Sequence, residues 1–197
     1  MLSNVEGCKE AYQELVGIIP AACRDLLDLG CGTGLELDPL FQAFPGLHVT
    51  GIDMTQTMLR RCREKYPRQK LRLICGDYFE LELGRELYDC AISFESLHHF
   101  AHDAKRGLYQ RIHDSLRPGG RYIECDYMVD SQQQEDAFFE QRERLVRQLG
   151  LSGETHYHFD TPCTVNNQIS MLLSSGFGRV DSVFRMGDTV MLVADKR

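Results

Sequence analysis

Short apolar runs alternate along this chain with longer segments in which apolar residues return every three or four positions. Residues 26–27, 49–53, 71–75, 89–94 and 121–126 read as five successive strands. Residues 55–66 read as a helix that stops before Pro67. Residues 104–116 read as another, capped by Asp103, with a Leu108, Ile112 and Leu116 stripe, ending before Pro118 and Gly119. Upstream, residues 5–18 predict a helix with Tyr12, Leu15, Val16 and Ile19 near helical spacing, ended by Pro20. Strands alternating with helices at this spacing predict a parallel sheet with right-handed crossovers.

The last third changes character. Ser131 followed by Gln134 reads as a capping box for a helix running to Leu149 before Gly150, with Phe138, Leu145, Val146 and Leu149 on its apolar face. Residues 154–162 are polar and aromatic. Thr161-Pro162 reads as the start of a helix carrying Val165, Ile169, Leu172 and Leu173 and ending at Gly176. Residues 179–184 and 189–194 read as two closing strands.

Composition narrows the class. A chain of 197 residues, 43% hydrophobic and 26% charged, suits one soluble domain. No apolar run approaches the ~20 residues of a membrane span, and the start lacks a basic-then-apolar leader, so a cytoplasmic location is expected. The eight cysteines include no C-x-x-C pair and read as reduced thiols, with Cys75, Cys90 and Cys125 as small core residues. A net charge of −7 works against nucleic acid. The basic run at 60–70 reads as a solvated helix face.

The chemistry concentrates at Asp28-Leu29-Gly30-Cys31-Gly32-Thr33-Gly34, which lies between the first strand and a segment of helical character. Glycines there admit left-handed backbone and close approach of a ligand to the free N–H groups of a helix start. A dinucleotide is disfavoured. Leu35 occupies the position where G-x-G-x-x-G/A wants a small residue, and 25–59 hold no Lys or Arg but carry Asp25, Asp28, Glu36, Asp38 and Asp53. A cationic cofactor suits that field. Asp53 ends the second strand about twenty residues after the loop, where a ribose-binding acid is expected in a doubly wound fold.

The loop, with Asp53, Gly76-Asp77-Tyr78, Leu97-His98-His99 and Leu116-Arg117-Pro118-Gly119-Gly120 following in order, resembles the class I S-adenosylmethionine-dependent methyltransferases. The resemblance runs from about residue 22 to 197. It implies an α/β, doubly wound, Rossmann-like seven-stranded sheet, mostly parallel with an antiparallel last strand, in one domain covering 1–197. It implies S-adenosyl-L-methionine as cofactor, with Asp28, Gly30, Cys31, Gly32, Gly34, Asp53, Met54, Asp77, Tyr78 and Phe94 around it. Asp77 is then expected at the adenine amino group. His98 and His99 are the candidate catalytic bases, since a loop at that place borders the acceptor. Glu95 and Asp126 stand open between loop bracing and site contacts.

The expected reaction is methyl transfer to a small molecule, with residues 127–160 as lid and acceptor-selecting insertion. Nucleic acid and membrane are not expected partners; a homodimer is compatible. Two other readings stay open: a tRNA-modifying or cofactor-modifying enzyme of the same superfamily, and a cofactor-binding protein without turnover. No metal is expected. His98, His99 and His102, or His156 and His158, lack the spacing and matching cysteine pair of structural zinc sites.

Overall fold

The computed structural model describes residues 7–150 and 159–197. The elements run α1 (Cys8–Ile18), β1 (Asp25–Leu29), α2 (Leu37–Ala43), β2 (His48–Asp53), α3 (Gln56–Lys65), β3 (Lys70–Cys75), β4 (Tyr88–Phe94), α4 (His102–Ser115), β5 (Leu116–Val129), α5 (Gln132–Leu149), β6 (Cys163–Thr164), α6 (Val165–Ser174), β7 (Arg179–Met186) and β8 (Thr189–Asp195).

Seven strands pair in the order β3-β2-β1-β4-β5-β8-β7, and short β6 pairs with the end of β5. The β1, β2, β3, β4 and β5 ladders are parallel. β8 runs antiparallel to both β5 and β7, as expected. Strand order reverses between β1 and β4. That switch point, at the carboxyl ends of the strands, is where open α/β sheets bind ligands.

Alternation along the strands divides the core. Leu26, Val49, Cys90, Ile92, Ile123 and Cys125 face α1, α2 and α3. Leu27, Leu29, Ile52, Ala91 and Tyr122 face α4 and α6. Each face buries apolar side chains worth about 1.5–3 kcal/mol apiece.

Several local expectations are corrected. α4 begins one residue before Asp103, after Ala101, so Asp103 lies inside the first turn and is not the cap. Thr161-Pro162 does not open a helix. Cys163–Thr164 pair with Met128 and Val129 of β5, and Thr164 caps α6 by accepting from Asn167 N. The ladder to β5 outweighs the local signal. Cys75 is exposed at the end of edge strand β3 rather than in the core, whereas Cys90 and Cys125 are fully buried. The capping box at Ser131 and Gln134 forms as read. The apolar face of α5 is only half-buried, and Leu149 is exposed.

Candidate active site

The glycine loop sits where β1 hands over to α2. Gly30, Gly32 and Gly34 all take positive φ, at 78°, 49° and 68°, which costs other residues strain. A Cβ on Gly30 would meet Ser96 Cβ at 2.7 Å, whereas one on Gly32 would reach only the Gly30 carbonyl at 3.9 Å. The space beside Gly32 is thus a shallow cradle. Asp53 accepts from Gly32 N at 3.0 Å and from Thr55 N at 2.7 Å, so the loop is tied to the tip of β2.

Behind the loop lie two buried acids. Asp28 is the penultimate residue of β1 and Glu36 precedes α2, at 1% and 6% exposure. Asp28 Oδ2 and Glu36 Oε1 take no hydrogen bond from a described donor. Burial, then the neighbouring Glu36 carboxyl, pushes Asp28 well above the carboxylate range; burial raises Glu36 too. Two buried carboxyls this close share a proton rather than hold two charges. A cationic ligand group nearby would relieve both.

The other expected cofactor residues divide. Met54 is exposed beside Asp53. Asp77 accepts from Phe79 N at 2.7 Å, bracing the turn after β3. Cys31 turns inward: its Sγ lies where a Gly51 Cβ would be, leaving its main chain to the loop. Tyr78 is buried, with its hydroxyl donating to the Ser96 carbonyl at 3.1 Å and its ring against Phe79 and Phe100. Phe94 is buried under α1, 5.3 Å from the Tyr12 ring. Tyr78 and Phe94 therefore shape the site from inside the core. A separate cavity of about 510 Å³ lies by α3 and β3, lined by Gln56, Thr57, Arg60, Arg63, Leu73 and Cys75; no glycine-loop residue contributes to it.

The loop after β4 carries the histidines. Glu95 opens it with φ of 46°, a conformation that stores strain and recurs at functional sites. His98 Nδ1 lies 2.5 Å from Asp126 Oδ1. Asp126, near the carboxyl end of β5, is held by Leu97 N at 2.8 Å and Tyr127 N at 2.9 Å. Burial opposes the charge on Asp126, but the His98 ring and these N–H groups outweigh it and hold the carboxyl below its usual range. Burial likewise lowers His98, and Asp126 outweighs it, so His98 binds its proton more tightly than a free imidazole. Burial, with Asp126 beside it, pushes Glu95 up to about 7.

His98 Nε2 points the other way, 3.8 Å from Asp160 Oδ1, which also lies 3.2 Å from His99 Nδ1. Thr161 clamps this segment by donating its N–H to the His98 carbonyl at 2.6 Å. Tyr127 completes the rim, its ring centroid 6.1 Å from that of His98. The partner roles of Asp126 and Asp160 had no signal in spacing; they lie 28 and 62 residues from His98 in sequence. His156, Tyr157 and His158 lie outside the described residues.

A doubly wound sheet with an acid-backed glycine loop at its switch point defines a nucleotide-cofactor-binding α/β domain. Comparison with known proteins narrows this. A sequence profile described as a methyltransferase domain matches residues 26–120. The malonyl-[acyl-carrier protein] O-methyltransferase of Priestia megaterium is 30% identical over 98 residues, which are 50% of this chain and 35% of that protein. The chain thus spans about a third of that relative. The carboxy-S-adenosyl-L-methionine synthase of Campylobacter curvus is 25% identical over 192 residues, 92% of this chain and 81% of that protein. Human N-acetylserotonin methyltransferase in complex with SAM superposes with a TM-score of 0.69 at 20% identity, covering 94% of this chain and 51% of that one. The chain is thus similar in sequence to methyltransferase domains over residues 26–120 and shares the fold of S-adenosylmethionine-dependent methyltransferases.

Proposed function

We propose that this protein transfers the methyl group of S-adenosylmethionine to a hydroxyl or amine of a small molecule, with His98 accepting the proton the acceptor loses. The observation that carries the reading is the Asp126–His98 pair at the end of β4. Asp126 accepts a hydrogen bond from Nδ1–H and so leaves Nε2 as the basic nitrogen, facing the rim shared with His99, Asp160 and Tyr127.

When bound, the cofactor supplies an electrophilic methyl on a sulfonium. The residues present fit it. The cradle at Gly32 admits close approach, Asp53 offers lone pairs beyond those spent on the loop, and Asp28 with Glu36 supply buried negative character for a cation. The chain's part is chiefly positioning, which contributes up to ~7–11 kcal/mol in well-oriented systems. His98 adds general-base help, typically 10²–10⁴-fold. Residues 127–160 act on the acceptor side: Tyr127 and Asp160 border the rim, and Phe138 packs edge-on to Tyr127 at 5.9 Å. The relation to carboxy-S-adenosyl-L-methionine synthase is a second reading. A carboxylated sulfonium would bring negative charge toward Glu95, Asp126 and Asp160, so the rim favours methyl transfer.

The test has two arms. S-adenosylhomocysteine and NADH are titrated calorimetrically; the reading expects binding of the first alone. Pools of hydroxyl- and amine-bearing small molecules and unmodified RNA are then offered with methyl-labelled cofactor. Label in a small molecule, lost 10²–10⁴-fold in His98→Ala with unchanged S-adenosylhomocysteine affinity, supports it. Label in RNA alone, or full turnover in the variant, overturns it.

A further inference from the structure

Away from the rim, three elements bring a nitrogen, an oxygen and a sulfur together. His102 opens α4, Glu135 lies in the first turn of α5, and Cys163 lies in β6. Their ligand atoms fall within 4.8 Å of one another. We propose that His102, Glu135 and Cys163 form a zinc site that clamps α5 to the body of the domain.

The first observation is the contact itself. His102 Nε2 lies 2.9 Å from Glu135 Oε1, yet it makes no hydrogen bond and is sealed from solvent. The two atoms are close without either aiming a proton at the other. Two ligands converging on a third atom are placed this way.

The second is the support around Glu135. Its carboxylate accepts from Thr164 N at 2.5 Å and from Asn167 Nδ2 at 2.9 Å. Hydrogen-bonded carboxylates of this kind orient metal ligands. Glu135 is also the one fully buried residue of the eighteen in α5. A helix whose apolar face is half-exposed is anchored instead by a carboxylate.

The third is chemical. Imidazole, carboxylate and thiolate are the donor set of zinc, which takes four ligands and accepts water as one of them. Cys163 and Glu135 are both 1% exposed. Ionised together they carry two negative charges, matching a divalent cation. Burial pushes the Cys163 thiol up to about 11, and Lys105 Nζ, 3.4 Å from Cys163 Sγ, offsets only part of that rise. The bound cation itself would therefore have to draw off the proton; the charge of Lys105 is met by buried Glu124. The His102 side chain is one-third exposed at atoms other than Nε2, so the ring borders solvent while its ligand atom faces inward. The 33- and 28-residue separations hide this set from any spacing rule.

The experiment uses the whole metal-stripped chain, titrated with Co²⁺ and then Zn²⁺, and needs no acceptor. The expected result is one equivalent of Co²⁺ with tetrahedral d–d bands and a thiolate-to-cobalt charge-transfer band, displaced by Zn²⁺. Cys163→Ser removes the charge-transfer band and weakens Zn²⁺ binding at least 100-fold, while His99→Ala leaves both unchanged. Should Cys163→Ser fail to fold, His102→Ala and Glu135→Gln are read for the same loss of affinity. The proposal is overturned if the chain takes up no stoichiometric metal. It is also overturned if Cys163→Ser keeps the same spectrum, or if bound Co²⁺ shows no thiolate band and is lost in His99→Ala, which would move the ion to the His98, His99 and Asp160 rim.

Discussion

Replacing Asp126 with Asn removes one charge from the pair that orients His98 and changes little else in shape. Asp126 accepts three hydrogen bonds, from Leu97 N, Tyr127 N and His98 Nδ1. The amide keeps one oxygen, so its NH₂ must face a buried donor. Hydrogen bonds to charged groups contribute about 1.5–3 kcal/mol, and a buried group left unpaired costs about 1–3 kcal/mol. The loss then falls in the ~3–5 kcal/mol range for breaking a buried ion pair from one side. Its pH dependence is the sharper signature. His98 holds its proton above its usual pKa of ~6.5. Its contribution is present in full below that value and is lost as pH rises through the folded one. Asp126 is depressed, so its contribution is present above ~3.9 and lost as pH falls through its folded value. The gap in stability between the wild type and Asp126→Asn is therefore widest between about pH 4 and 6.5 and narrower at pH 9. Glu95 does not cancel, because Asp126 is one cause of its rise to about 7; the variant ionises Glu95 more easily and so narrows the gap further at pH 9. Urea unfolding at pH 5.5 and pH 9, extrapolated linearly, measures both gaps. Equal gaps at the two pH values, or none at either, would refute the ion pair and with it the fixed tautomer of His98.

Other substitutions test the cofactor side and the cover. Asp53→Ala should weaken S-adenosylhomocysteine binding about 10–150-fold, from the loss of about 1.5–3 kcal/mol of charged hydrogen bonding; calorimetry showing an unchanged affinity in folded protein would remove Asp53 from the site. Because Asp53 also holds Gly32 N, a modest loss of stability in urea should accompany it. Gly30→Ala should abolish cofactor binding and lower the melting temperature, since its Cβ would meet Ser96 at 2.7 Å at a φ of 78°; wild-type affinity would show that the loop adjusts freely. Ser131→Ala should cost about 1 kcal/mol through the lost capping box, read by urea unfolding, and no change would mean that α5 is held from elsewhere.

The strand and helix alternation was legible because each core strand sends neighbouring residues to opposite apolar faces, as Leu26 and Leu27 do. The glycine loop was legible because its demands are local: positive φ at Gly30, Gly32 and Gly34 admits few other residues. Ser131 was legible for the same reason, its box closing within three residues. The misreadings arise where a distant partner overrides a local signal. Thr161-Pro162 carries the right order for a helix start, but Thr161 is spent on the His98 carbonyl and Cys163 on the β5 ladder. Tyr78 and Phe94 are not misreadings of this kind: they stand at the expected sequence positions, with their rings packed in the core beside the site. Asp126 was left open between bracing and site contact. The structure shows that it braces the loop and also holds His98, with one oxygen on a loop N–H and the other shared by Tyr127 N and the histidine.

That double duty links the two halves of the crevice. Ser96 Oγ donates to the Leu29 carbonyl at 3.2 Å and its Cβ lies where a Gly30 side chain would be, so the β4 loop forms the floor of the glycine loop. Two residues on, His98 is fixed by Asp126 and clamped through its carbonyl by Thr161. A base carried on a loose loop would lose the alignment that a direct displacement needs, and a misplacement near 1 Å costs on the order of 10²-fold. Here the path from the glycine loop to the proposed base runs through one strained turn, Glu95 to His98, pinned at both ends. On that proposal, the strain at Glu95 is the local cost of setting the base at a fixed distance from the Gly32 cradle.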